Sequence, residues 1–197
     1  MADGDRPKLA GIARVGGEGE PEVFCADEQD AVPLELERWQ VLALSVLRDQ
    51  GVRGLAELSV LFVGETEMAE LNEQYMGKDG VTDVLAFPLD AHEVTQVVVP
   101  SGSVRGPDRS PVDPGDMPLL LGDVVICPGV AKQQAPSHAG TLDDEIALLL
   151  VHGILHVLGH DHAETEEATA MRAIERRLLE EYHWHGPAPE AFRQEQE

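Results

Sequence analysis

A chain of 197 residues with 43% hydrophobic content has the length and composition of one globular domain with extensions. It carries 37 acidic and 14 basic residues, a formal net charge of −23, which disfavours proteins that coat DNA or RNA through charge alone. No run of about 18 uncharged apolar residues occurs, and the polar start "MADGDRPKLAGIARVGGEGEP" lacks the apolar centre of a secretory signal. No membrane association is expected, and the cytoplasm is the expected compartment.

In chain order, residues 1–20 are rich in Gly, Pro and charge and read as a flexible extension. "EVFCA" reads as a short strand. Leu34 to Gln50 carry helix-spaced apolar residues and stop at Gly51. "ELSVLFVG" is a buried strand by its β-branched apolar run, and the helix after it takes Thr66 as its cap. "TDVLAFP" is a further strand that Pro88 ends or marks as an edge. Residues 90–118 are turn-rich and aperiodic and read as an insertion. "GDVVICP" is the next strand, with Pro128 opening a short helix to Gln134.

The helix after Thr141 begins with a capping-box pattern, Thr141 with Asp144, and runs to about Leu158, where Gly159 closes it. A last helix, about Glu164 to Tyr182, lines up Ala168, Met171, Ile174, Leu178 and Tyr182. Residues 184–197 read as a flexible tail, leaving 21–183 as the domain. The two cysteines, Cys25 and Cys127, fit free buried thiols in a reducing compartment, or a single bridge. The expected fold is α/β (α+β): one domain, with a small mixed sheet of about four strands flanked by helices.

The chemistry concentrates in "VHGILHVLGHDH", residues 151–162. His152 and His156 are four residues apart and share one helix face, the spacing at which two imidazoles grip one metal ion. Gly159 tolerates the left-handed backbone that turns the chain, so His162 can swing back towards them. Three neutral histidines leave a fourth tetrahedral position open, as in catalytic rather than structural zinc sites. A single histidine, or one pair, recurs by chance on helices; three at this spacing around a glycine are specific. His160 has a flanking or supporting role, and Asp161 either orients a ligand histidine or moves a proton. The spacing also resembles that of metzincin proteases, but Gly153 stands where their glutamate base belongs. A conventional metalloprotease is therefore disfavoured.

The same stretch is similar to the H-G-x-L-H-L-x-G-x-D-H motif of the YbeY family of rRNA-maturation endoribonucleases. "LNEQYMGKDGVTDVLAFPLD", "LGDVVICP" and "EEATAMRAIERRLL" resemble further segments of that family in the same order, so the likeness spans roughly Val23 to Tyr182. The resemblance implies a zinc-dependent single-strand endoribonuclease acting in small-subunit rRNA maturation and ribosome quality control. It implies one Zn2+ per chain on His152, His156 and His162, and rRNA and the small ribosomal subunit as partners. Three departures stand out. The family's arginine after the tyrosine is Met76 here, its strand serine is Ala86, and the residue before Asp161 is His160. With the arginine gone, Lys78 is the candidate phosphate contact, or an ordinary solvated lysine.

The strongly acidic chain should bind naked RNA weakly, so recruitment by a ribosomal protein or an assembly GTPase is expected. The other readings are a zinc hydrolase of peptides or small amides, and a non-catalytic ribosome-assembly factor with structural zinc.

Overall fold

Alternation of apolar and polar residues builds the first parallel unit. In strand β3 (Ala56–Phe62), Ala56, Leu58, Val60 and Phe62 are buried while the residues between them are half-exposed, so one face meets a core and the other looks outward. Strand β2 (Glu22–Asp27) runs parallel to it, and helix α1 (Leu36–Asp49) makes the crossover, burying Trp39, Leu42, Val46 and Leu47. The computed structural model describes residues 12–15, 19–89, 118–160 and 165–194.

Strand β1 (Ile12–Val15) pairs antiparallel with β2. Strand β5 (Leu119–Ile126) lies parallel to β3, and β4 (Val84–Pro88) lies antiparallel to β5 as the far edge. The five-stranded order is β1-β2-β3-β5-β4, so Pro88 does end an edge strand. Helix α2 (Glu65–Leu71) continues into one π-helical turn, Asn72–Met76. Helix α3 (Pro128–Gln134) comes after β5, with Pro128 in its first turn. Helices α4 (Leu142–Val157) and α5 (Thr165–Tyr182) complete the chain order, and α4 packs on β4, β5, α1 and α5.

Helix α4 is the centre of the core. From Asp144 to Val157 every residue is buried except His152 and His156. A helix apolar nearly all round belongs inside a protein, and the sheet with α1 and α5 supplies the surroundings. A smaller cluster, Val63, Met68, Leu85, Val125, Cys127 and Val130, fills a second core. Cys25 and Cys127 are free and buried in separate clusters, and burial pushes the Cys25 thiol up to about 12.

Three expectations change. Ile12–Val15, read within a flexible extension, is a strand; its four residues are too short a run to stand out from Gly- and charge-rich surroundings, yet it caps the open edge of β2. Thr66 is not the cap of α2: the chain turns directly after β3, Gly64 takes the cap position, and no side chain caps the helix. Residues 184–194, read as tail, pack onto the domain because Trp184 and Phe192 find apolar partners in each other and in the core. The insertion read at 90–118 lies outside the described residues except for Pro118, and Asp161 and His162 also lie outside them. Among the described residues, no helix is long and apolar enough to cross a membrane.

Candidate metal centre and its cavity

The N-terminus of α4 is fixed as its sequence predicts: Thr141 Oγ1 accepts the Asp144 backbone N–H at 3.1 Å. Asp144 is also the anchor for the segment beyond α5. Its Oδ1 accepts Trp184 Nε1–H at 2.6 Å and faces His183 Nε2 at 2.9 Å. Burial works to raise the Asp144 carboxyl, but the hydrogen bonds from Thr141, Trp184 and His183 outweigh it and hold it below its ordinary value. Burial depresses His183, with Asp144 only partly offsetting it.

At the other end, the Gly159 N–H donates to His156 O and the His160 N–H to Leu155 O, both at 2.9 Å, with Gly159 at φ +88°. That is a Schellman stop, and it needs the left-handed residue that glycine provides. It also gives His160 a place, since its backbone closes the helix.

Between these ends sit the two half-exposed histidines. Glu175 Oε1, from α5, lies 2.7 Å from His152 Nδ1. An ionised carboxylate only accepts, so Nδ1–H donates and Nε2 carries the ring's lone pair. His156 Nε2 lies 3.1 Å from that same His152 Nε2. Two nitrogens each about 2.0–2.1 Å from one tetrahedral zinc are about 3.3 Å apart. The spacing therefore suits a shared ion, and the pair can hold one. Among the described residues, no group of three His, Cys, Asp or Glu side chains forms a metal cage.

Gly153 faces the opposite way, towards the sheet. A Cβ there would meet Val124 Cγ1 of β5 at 2.6 Å and Cγ2 at 3.3 Å. Helix and strand approach so closely here that even a methyl group would need Val124 to shift.

A cavity of about 440 Å³ opens beside His152. A second histidine lines it, His138, whose Nδ1 lies 2.8 Å from Oε1 of the buried Glu145. Asp83 lines it too; its Oδ1 accepts the Val84 N–H at 2.8 Å. Met76 ends the π-helical turn and Lys78 stands just beyond it, both on the surface, and neither lines this cavity.

Sequence reasoning missed Glu175, Glu145 and Asp83. For Glu175 a signal existed: it stands in the apolar stripe between Met171 and Leu178, where a carboxylate needs a partner. It is 4% exposed, with Oε1 on His152 and Oε2 accepting Gln194 Nε2–H at 2.8 Å.

Fold and site together define a class: α/β proteins in which a buried central helix carries a histidine pair, one of them facing a cavity, and a buried carboxylate fixes that imidazole. Residues 24–183 match the family model described as Endoribonuclease YbeY. The chain is 50% identical to the Endoribonuclease YbeY of Salinispora tropica, over 70% of this chain and 82% of that one. It is 41% identical to the Mycolicibacterium smegmatis protein of that name, over 77% of this chain and 76% of that one. The chain belongs to the YbeY endoribonuclease family. Its fold is similar to the solution structure of TM1509 from Thermotoga maritima, with a TM-score of 0.50 at 22% identity, covering 83% of this chain and 93% of that one.

Proposed function

We propose that this protein is a zinc-dependent single-strand endoribonuclease acting in small-subunit rRNA maturation and ribosome quality control in the cytoplasm. Its partners in this reading are rRNA, the small ribosomal subunit or one of its proteins, and an assembly GTPase. The observation that carries the chemistry is the convergence of His152 Nε2 and His156 Nε2 to 3.1 Å, with Glu175 fixing the tautomer of the first. His162, in register with the motif, is the third ligand in this proposal. The ion, when bound, supplies Lewis acidity towards a phosphoryl oxygen and a nucleophile near neutral pH.

The chain's own residues do the rest. Glu175 holds the His152 ring in one orientation, so its lone pair points at a fixed spot without further loss of rotamer freedom. The cavity beside His152 is large enough to take a nucleotide-sized group. Asp83, on the cavity wall, and Asp161, in the motif, are the carboxylates proposed to take or return a proton at the scissile phosphate. Gly153 leaves no place for the base of a conventional zinc protease, which counts against the peptide-hydrolase reading.

The test is cleavage of single-stranded RNA by purified protein, with and without chelator. His152→Ala should abolish the chelator-sensitive cleavage while the fold is kept. Undiminished cleavage by that variant would sink the reading.

A further inference from the structure

The cavity beside His152 has a wall that lies past the family domain. The family match ends at residue 183, yet residues 184–194 fold back over α5 and onto the loop before α4. Hydrogen bonds and ring packing hold them there. Trp184 Nε1–H donates to Asp144 at 2.6 Å, and the Phe192 ring packs edge-on against Trp184 with centroids 4.8 Å apart. The Arg193 backbone N–H donates to His138 O at 2.8 Å, and Gln194 Nε2–H to Glu175 Oε2 at 2.8 Å. Gln194 also donates to the Arg172 carbonyl at 3.2 Å. Held this way, Arg193 and Arg172 both line the cavity that His152 and His138 enter.

The surroundings of Arg193 are unusual in so acidic a chain. Arg38, Arg48, Arg176 and Arg177 each pair with a carboxylate. The guanidinium of Arg193 instead donates, through Nη1 alone, to the Glu190 and Phe192 carbonyls, which orient it without neutralising it. The buried carboxylate on this wall, Glu175, has both oxygens engaged, by His152 and Gln194. An oriented guanidinium with no carboxylate partner among the described residues, beside a histidine metal centre, is suited to an anion with paired oxygens.

We propose that Arg193, with Arg172 beside it, forms the subsite for a backbone phosphate of single-stranded RNA. This rests on the endoribonuclease reading, and it gives residues 184–194 a role in substrate binding. It also supplies a phosphate contact in a chain whose Met76 and Lys78 are not on the cavity wall.

The test uses the full, zinc-loaded chain and a fluorescent 2′-O-methyl single-stranded oligonucleotide, with anisotropy read from about 50 to 200 mM salt. Cleavage of the unmodified RNA is followed in parallel. R193Q should weaken binding and raise KM by about tenfold, with little change in kcat and an unchanged melting temperature. The plot of log affinity against log salt should become shallower by about 0.7, one phosphate contact on a single strand. R193K, which keeps the charge but not the fork, should restore the slope and only part of the affinity. R172Q should act in the same direction.

If R193Q binds and cleaves like the wild type with the same salt slope, the subsite is wrong while the endoribonuclease reading stands. If the wild type cleaves no RNA but its oligonucleotide binding still depends on Arg193, the reading fails and the subsite stands. If R193Q loses affinity only along with melting temperature, and R193K restores both fully, Arg193 is structural and the proposal falls.

Discussion

At the scale of single residues, His152 and His156 are legible in the sequence because a helix repeats on a fixed pitch, so i and i+4 share a face whatever surrounds them. For Glu175 the sequence shows only that a carboxylate in an apolar stripe needs a partner, and no local rule says that the partner is His152 on the helix before it. The 2.7 Å contact and its depth in the core reveal it in the structure. Partners of this kind tune metal affinity about 10–100-fold. Glu175→Ala should therefore weaken zinc binding by about that factor in a chelator competition, with helix content retained by circular dichroism. Glu175→Gln keeps an acceptor for His152 but loses the charge and opposes the Gln194 amide, so its loss should be smaller. Zinc affinity unaltered in both variants would show that Glu175 does not support the ligand.

At the scale of elements, α4 is legible almost whole from sequence: the Thr141 cap, the apolar length and the Gly159 stop all act locally. Its seat on the sheet is not, because Gly153 reads only as a missing glutamate until Val124 appears opposite it. The two γ carbons of valine sit on a stiff χ1, so there is little room to yield. Gly153→Ala gains about 1 kcal/mol of helix propensity and loses about 1–3 kcal/mol to overpacking. The expected outcome is net destabilisation by urea titration. Adding Val124→Ala should recover part of it, so the double variant should be more stable than the sum of the singles. Simple additivity would mean that this contact does not set the spacing.

The Gly- and Pro-rich segment after α5 misleads for a different reason: its composition is that of a loop, but two aromatic rings and one acidic anchor are enough to dock it. That anchor makes a pH prediction. His183 and Asp144 both titrate lower in the fold than in an unfolded chain. Between its folded and unfolded values each group binds more protons when unfolded, so stability rises with pH there. The His183 contribution is complete above its ordinary value of 6.5 and is lost as the pH falls from there towards the folded value. The Asp144 contribution is lost further down, below its ordinary 3.8. His183→Gln should flatten the fall in stability just below pH 6.5 relative to wild type, read by denaturant midpoints at several pH values. Parallel profiles for the two proteins would remove His183 as a source.

For the whole molecule, the governing quantity is the charge of −23. It is fully legible in the sequence; its arrangement is not, since pairing depends on which helices meet. Arg177 on α5 grips Asp49 at the end of α1 through two N–H bonds, at 2.9 and 2.6 Å, and so contributes to holding two helices rather than to binding anions. Arg38 and Arg48 are likewise committed to Asp143 and Glu20. Among the described residues, the cations that line the cavity are Arg172 and Arg193, set against the excess of acidic residues in the chain. Phosphate contacts dominate affinity for nucleic acid, and each adds to the salt dependence. The protein alone should therefore bind arbitrary single-stranded RNA weakly, micromolar or poorer at physiological salt, with a slope that reflects only one or two contacts. Under the proposed function, action on rRNA is expected to use a partner that holds enzyme and RNA together, since this raises the local RNA concentration without new contacts in the site. Anisotropy with unrelated oligonucleotides, beside the same measurement on isolated small subunits, separates the two. Tight, nanomolar binding to arbitrary RNA at physiological salt would show that the local cations overcome the field and that no delivery is needed.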